Sequence, residues 1–202
     1  MSAEDQAKWD AKYTAGAYES KQYPGEYLAA KLPEIIQHLE GNAAERPWHA
    51  LDLACGAGRN AYFLAANGFE VDAVDISAVG LARAQDLSPI EASHINWIQQ
   101  DLEDATSRNF ARYQLIVMMR YVNLPLLRSV TDNLVPGGFV LCEEHMRSEE
   151  DVVGPRNPAF RVASGALKET LIELTPIHYN EGVIVDPNGD RSAVAQIIAR
   201  KD

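Results

Sequence analysis

With 202 residues, 47% of them apolar, the chain is long enough to bury one core of ordinary size. Its 18 basic and 29 acidic side chains give a net charge of −11, and such a surface repels a phosphate backbone, so no nucleic acid partner is expected. No apolar run approaches the roughly 20 residues that cross a bilayer, and the opening MSAEDQAKWDAKY is acidic with no apolar h-region, so no membrane association and a cytoplasmic location are expected.

In chain order, the spacing predicts helices over Ala3–Tyr13 and Gly25–Leu39, then a first strand, His49–Ala54. Glycines follow at once. A helix over Asn60–Asn67 comes next, with Ala61, Leu64 and Ala65 on one face and Gly68 as its stop. Phe69–Val74 is the second strand, and Ser77 can cap a helix running to about Leu87. His94–Gln99 and Tyr113–Met119 are the third and fourth strands. A helix over Leu124–Val135 is broken by Pro136-Gly137-Gly138 and leads into a fifth strand, Phe139–Glu143. Glu149–Pro158 is a loop, and Ser164 is positioned to cap a helix over Ala166–Leu174. Ile177–Val185 and Ser192–Ala199 form a hairpin around Asp186-Pro187-Asn188-Gly189-Asp190.

Strand and helix alternate five times before an antiparallel pair. This predicts an α/β fold, Rossmann-like and doubly wound, with a mostly parallel seven-stranded sheet and a C-terminal antiparallel hairpin. One domain over 1–202 is expected: an N-terminal helical lid (1–40), a cofactor-binding core (48–145) and a C-terminal helix and hairpin (159–202). Cys55 and Cys142 lie in apolar stretches without CxxC spacing, which suits buried, inert thiols. The five histidines are scattered, so no metal is expected. Glu143, Glu144, Glu149, Glu150 and Asp151 form the one cluster of charge, and it is acidic.

The chemistry concentrates in Leu51-Asp52-Leu53-Ala54-Cys55-Gly56-Ala57-Gly58, where the first strand ends and a helix begins. Glycine lets the chain turn tightly and lets backbone approach a ligand, and the helix N-terminus welcomes an anionic group. Asp75 ends the second strand, where an acid bonds ribose hydroxyls, and Asp101 ends the third. Three acids at three successive strand ends are more specific than any one of them. Plain turn glycines, or Asp75 as a cap of the next helix, are the alternative reading. Glu70 and Asp72 share one side of the second strand and suit a solvated face better than a ligand site.

These stretches resemble the class I S-adenosylmethionine-dependent methyltransferases, in particular the small type related to tellurite-resistance and thiopurine methyltransferases. The resemblance covers nearly the whole chain. It rests on DLACGAGRN, VDAVDIS, QQDLED, LVPGGFVL, the opening WDAKY and the closing hairpin. It implies S-adenosyl-L-methionine as cofactor. By it, Asp52, Gly56 and Gly58 surround the methionine moiety, Asp75 meets the ribose, Asp101 the adenine amino group and Leu102 the adenine edge through its backbone. Ala54, Asn60, Ile76 and Met119 complete the expected cofactor set. Trp9 and Tyr13, at i and i+4, form an aromatic lid or else pack the first helix. Two positions depart from the family pattern. Ala54 stands where the first glycine is usual, and Gln114 stands where an aspartate commonly opens the fourth strand.

The expected reaction is methyl transfer to a small-molecule acceptor by in-line displacement, in which alignment is worth roughly 7–11 kcal/mol. Arg120 and Tyr121, just past the fourth strand, and His145, at the end of the fifth, are the candidate catalytic residues. Arg120 can hold a carboxylate or oxyanion, or simply pair with an acid. His145 is a possible base, or else structural. Arg156 lies in the loop that could cover the acceptor and Arg161 beside it, though both can simply be solvated. Two rivals exist. Gly56-Ala57-Gly58-Arg59-Asn60-Ala61 also fits GxGxxA, so an NAD-dependent oxidoreductase is one, and a non-catalytic S-adenosylmethionine-binding protein is the other. A monomer and a homodimer are equally compatible with the sequence.

Overall fold

The computed structural model describes residues 3–17, 19, 23–41, 46–86, 93–104, 109–185 and 189–202. Its elements are α1 (Ala3–Thr14), α2 (Glu26–Gly41), β1 (Trp48–Leu53), α3 (Arg59–Ala66), β2 (Phe69–Asp75), α4 (Ala78–Asp86), β3 (Ile95–Gln99), β4 (Tyr113–Met119), α5 (Leu124–Val130), β5 (Leu134–His145), α6 (Ala166–Thr170), β6 (Thr175–Val185) and β7 (Arg191–Arg200). The strands form one seven-stranded sheet in the order β3-β2-β1-β4-β5-β7-β6. β1 to β5 run parallel, and β7 is antiparallel to both β5 and β6. This is the predicted Rossmann-like α/β fold.

Helices cover both faces, which is why the central strands are apolar almost throughout. Successive strand residues alternate between two cores. Ala50, Leu115, Val117, Phe139 and Leu141 pack with α2 and α3 through Leu28, Leu32, Ile35 and Leu64. Leu51, Ile116, Met118, Val140 and Cys142 pack on the other side with Leu126, Leu127, Val130 and Leu167 of α5 and α6. The chain winds outward from β1 through β2 and β3, and in the opposite direction from β4 through β5. A crevice therefore opens between β1 and β4 at their carboxyl ends, where ligands bind in such sheets.

Four local expectations are corrected. The helix expected over Leu124–Val135 ends at Val130, passes through one 3-10 turn, and gives way to β5 already at Leu134. Pro136-Gly137-Gly138 does not stop a helix but lies within the strand. Leu134 pairs with Tyr113 and Phe139 with Leu115, so the segment bulges outward. Gly137 takes φ 80° there and its N–H bonds the carbonyl of Lys201. The third correction concerns Ser164, which does not cap α6: its hydroxyl donates to Glu181 Oε2 at 2.6 Å, and left-handed Gly165 begins a helix that ends at Thr170. Finally, Glu143 and Glu144 do not belong to a surface acidic cluster, for both are buried.

Ser77 does cap α4, accepting from Gly80 N at 3.0 Å. Glu70 and Asp72 bind across the edge of the sheet to His94 and to Asn96 and Tyr113. Both cysteines are buried. Leu87 and the hairpin-turn residues Asp186, Pro187 and Asn188 lie outside the described residues. Among the described residues, no helix is long and apolar enough to cross a membrane.

Candidate cofactor and acceptor site

The crevice starts at the β1–α3 loop. Ala54 (φ 56°), Gly56 (φ 58°) and Gly58 (φ 80°) all take left-handed backbone, so this loop carries strain at Ala54 that a glycine would not feel. The two glycines serve different neighbours. A Cβ on Gly56 would collide with the Tyr13 hydroxyl, whereas one on Gly58 would collide with the ring of Trp97. Gly56 thus faces the crevice, and Gly58 lets the loop seat on the sheet.

Asp75, at the end of β2, organises the loop. Its Oδ2 accepts from Gly56 N and its Oδ1 from Ser77 N, both at 2.8 Å. Burial raises its carboxyl pKa, against the lowering effect of these amide donors. Ile76 follows, buried, with its carbonyl taken by Gln99 Nε2. Asp101 lies half-buried past β3, its Oδ1 accepting from Glu103 N at 2.8 Å, while the Leu102 side chain is in the core.

Asp52 lies inside, only 1% exposed, and its Oδ2 has no hydrogen-bond partner. Burial pushes its pKa up to about 7; Asp75 adds to the rise, while Arg59 and the Ala61 amide oppose it. A buried acceptor without a donor costs about 1–3 kcal/mol, so this oxygen calls for a ligand group. Arg59 is the first residue of α3, and its Nη1 donates to the carbonyl of Tyr23 at 3.4 Å.

Two predicted cofactor residues turn out to hold the walls. Asn60 Oδ1 accepts from Gly25 N at 2.8 Å and pins the start of α2. Met119 packs beneath that point, its Cε 2.6 Å from where a Gly25 Cβ would stand.

Tyr13 and Trp9 cover the opening from α1. Their ring centroids are 6.4 Å apart; Tyr13 is buried over Gly56 and Gly80, and Trp9 is half-buried. Asp10 fastens the helix, accepting from Ser77 Oγ at 2.6 Å and Val79 N at 3.3 Å.

Of the three candidate catalytic residues, the structure brings Arg120 and His145 together but separates Tyr121. Arg120 has φ 60° and is locked to Glu143, with Nε and Nη2 each 2.8 Å from Oε1. Its Nη1 lies 2.8 Å from His145 Nδ1 and 3.2 Å from Nε2. A guanidinium only donates, so the ring nitrogen that bonds Arg120 accepts. Tyr121 points to the opposite face, packing with the α5 core, where the charges of Glu103, Asp101 and Asp75 act on it. It therefore lies near the acids that end β2 and β3. Arg161 does not meet the acceptor side, since its guanidinium binds the carbonyls of Pro155, Met146 and Val153 and knits the covering loop.

Glu143, Glu144 and Arg59 were missed as site residues. Glu143 Oε2 accepts from Gln196 Nε2 at 2.6 Å, and Gln196 Oε1 accepts from Asn180, so three strands orient the carboxylate that holds Arg120. Glu144, on the opposite face, accepts from Tyr121 N at 3.1 Å, and burial raises its pKa well above the usual range. Two acids at the end of an apolar strand were the available signal, because surface acids rarely follow a strand buried on both faces.

The fold and the site define the class: this is a class I S-adenosylmethionine-dependent methyltransferase. The chain belongs to the TehB family, described as tellurite resistance protein TehB, whose model matches residues 24–195. It is 27% identical over 206 residues to a probable S-adenosyl-L-methionine-dependent methyltransferase TehB of Haemophilus influenzae, covering 95% of this chain and 71% of that protein. The crystal structure of TehB from Haemophilus influenzae superposes with a TM-score of 0.63 at 26% identity, over 82% of this chain and 62% of that one. The fold is also that of magnesium protoporphyrin IX methyltransferase from Synechocystis PCC 6803 with bound S-adenosylhomocysteine, with a TM-score of 0.70, 11% identity and 99% of both chains covered. The GxGxxA run is thus part of a methyltransferase loop, not of a dinucleotide fold.

Proposed function

We propose that the chain methylates a small, anionic acceptor bound at the carboxyl ends of β4 and β5, beside Arg120 and His145. The observation that carries this reading is the crevice between β1 and β4, with an unsatisfied buried Asp52 oxygen on one side and the Arg120–Glu143–His145 set on the other. S-adenosylmethionine supplies a methyl group already activated by its sulfonium. The residues fit it: Asp75 for the ribose hydroxyls, Asp101 and the Leu102 backbone for adenine, Asp52 for the ammonium of the methionine end, and Tyr13 and Trp9 as the cover. Residues 1–40 act as the lid of a single unit.

The acceptor side positions more than it deprotonates. Glu143 orients Arg120, and Arg120 lies against the His145 ring. A nucleophile that reaches this site already ionised or proton-free needs only alignment and exclusion of water. Small oxyanions and thiolates meet that condition and pair with Arg120, beside His145. Tellurite is the first acceptor to test, given the family's description. The net charge of −11 favours a small molecule over RNA or DNA.

Calorimetric titration of wild type and Asp75→Ala with S-adenosylhomocysteine and NAD tests the cofactor site, and transfer of labelled methyl to an acceptor panel tests the rest. Saturable binding of the adenosyl ligand alone, weakened in the variant, is expected. Transfer only to neutral, protonated acceptors would refute the anionic reading.

A further inference from the structure

Glu144 is fully buried on the α5 and α6 side of the sheet, beside Cys142 and Ala195. Among the described residues it makes no ion pair, and its Oε2 has no hydrogen-bond partner. Arg120, whose charge acts on it, is bound to Glu143 instead, and burial raises the Glu144 pKa well above the usual range. A carboxyl in such a place costs stability rather than adding to it. Its Oε1 nevertheless has a defined task. It accepts from Tyr121 N at 3.1 Å, with the Cys142 thiol 3.9 Å away.

Tyr121 N belongs to the peptide that follows Arg120, the residue held at φ 60°. Two consecutive residues of β5 thus grip one turn. The Glu143 carbonyl accepts from Arg120 N at 2.8 Å, and the Glu144 side chain accepts from the next N–H. The chain then re-enters regular structure at once, where Asn123 Oδ1 accepts from Leu126 N at 3.0 Å and starts α5. Without an acceptor on Tyr121 N, the peptide between Arg120 and Tyr121 is free to rotate, the direct way to relieve a left-handed arginine. The same rotation would carry the guanidinium off His145, which it meets at 2.8 Å. We propose that Glu144 is a positioning residue for methyl transfer: its Oε1 holds the Tyr121 N–H and so keeps Arg120 turned toward His145 and the acceptor. This rests on the acceptor site proposed above and adds a residue that acts through the backbone rather than on a ligand.

The experiment compares Glu144→Met, Glu144→Asp and Glu144→Gln with wild type. Methionine removes both oxygens at similar volume, aspartate keeps the acid but draws it back by one carbon, and glutamine keeps an oxygen in place. The urea midpoint, S-adenosylhomocysteine affinity by calorimetry, and kcat and KM for labelled methyl transfer to tellurite, selenite and thiophenolate are measured for each. In Glu144→Met the loss of an orphaned acid roughly offsets the loss of the Tyr121 bond, so its urea midpoint should stay within about 0.5 M of wild type. Its kcat should still fall about tenfold to a hundredfold, the penalty of a misplaced group. S-adenosylhomocysteine affinity should fall about threefold or more, because Tyr121 lies near Asp75 and Asp101 and moves with the turn. Glu144→Asp should lose as much, and it carries the test if the methionine variant does not fold. Glu144→Gln should rescue both quantities to within about threefold of wild type. Methionine and aspartate variants that bind and turn over like wild type would overturn the proposal. So would a glutamine variant as impaired as methionine, or losses that simply follow the urea midpoint. Wild type that transfers to none of the three anions would instead sink the acceptor reading, while S-adenosylhomocysteine affinity would still decide whether Glu144 holds the turn.

Discussion

Replacing Asp52 with asparagine should stabilise the ligand-free protein at pH 8 while weakening its hold on the cofactor. The carboxyl is 1% exposed and its pKa is pushed from 3.8 to about 7, chiefly by burial. A group that holds its proton more tightly when folded than when unfolded makes stability fall as pH rises between those two values. The full penalty is present above about pH 7 and absent below about pH 4. At 1.36 kcal/mol per unit the penalty is on the order of 4 kcal/mol. Asparagine removes the ionisation and keeps one oxygen for the Ala61 amide, but its NH2 replaces the orphaned oxygen and costs about 1–3 kcal/mol. The net expectation is about 1–3 kcal/mol of stabilisation at pH 8 and none at pH 4.5. Urea unfolding of both proteins at a series of pH values measures it, since the midpoint moves with stability when the slope does not change. In the same variant the affinity for S-adenosylhomocysteine should fall about tenfold or more, because the ammonium loses its charged partner. Two stability curves that run parallel from pH 4 to pH 8 would refute the reasoning, as would stabilisation without loss of ligand.

Ala54→Gly should stabilise by up to about 1 kcal/mol, because relief of a left-handed alanine exceeds the added freedom of the unfolded chain. Gly58→Ala should cost about 2–5 kcal/mol, from φ 80° and the collision with Trp97 together, and urea midpoints read both variants. Glu143→Gln should lower acceptor kcat/KM about tenfold or more with cofactor affinity unchanged, since it frees Arg120 from its ion pair; steady-state kinetics beside calorimetry separates the two effects. In Gly80→Ala the new Cβ would stand 2.9 Å from the Tyr13 ring, which lies over Gly56. The variant should loosen α1, seen as a red-shifted Trp9 emission and faster N-terminal proteolysis, while α4 itself gains up to about 1 kcal/mol of helix propensity.

Much of the fold could be read in the chain because hydrophobic period and glycine punctuation agree in its first half. Strand ends with Asp52, Asp75 and Asp101 sat where an alternating pattern required them. The misplaced elements share one cause. Leu134 and Val135 continue the helical spacing of Leu127 and Val130, and only the pairing of Leu134 with Tyr113 draws them into β5. Ser164 has the chemistry of a cap, but Glu181, from a strand far along the chain, captures its hydroxyl. In both cases a partner distant in sequence overrides a local preference. The acceptor side was hidden for the same reason. Arg120 and His145 were legible as strand-end residues, but their mutual contact and their dependence on Glu143 arise only when β4, β5 and β7 lie side by side.

Strain and charge coincide in this molecule, and the sheet topology explains why. The two non-glycine residues with left-handed backbone among the described residues are Ala54, which follows β1, and Arg120, which follows β4. Those two strands are adjacent, and they are where the winding reverses. At every other parallel neighbour pair, the chain leaving one strand can cross to the next along one face. Here the chain must leave β1 toward α3 on one face and β4 toward α5 on the other, so each turns away sharply and the gap between them stays open. Two strained residues, at roughly 1–2 kcal/mol each, are tolerable only because backbone bonds hold them: Cys55 N to the carbonyl of Val74 at 3.0 Å, and Arg120 N to that of Glu143 at 2.8 Å. The same turn that strains Arg120 puts its guanidinium on the Glu143 face and sends Tyr121 to the Glu144 face. Arg120 is thereby set beside His145, and the Tyr121 phenol near Asp101 and Asp75. Straightening that turn by any substitution would therefore disturb both halves of the site at once, a coupling that the position of Arg120 in the chain does not suggest.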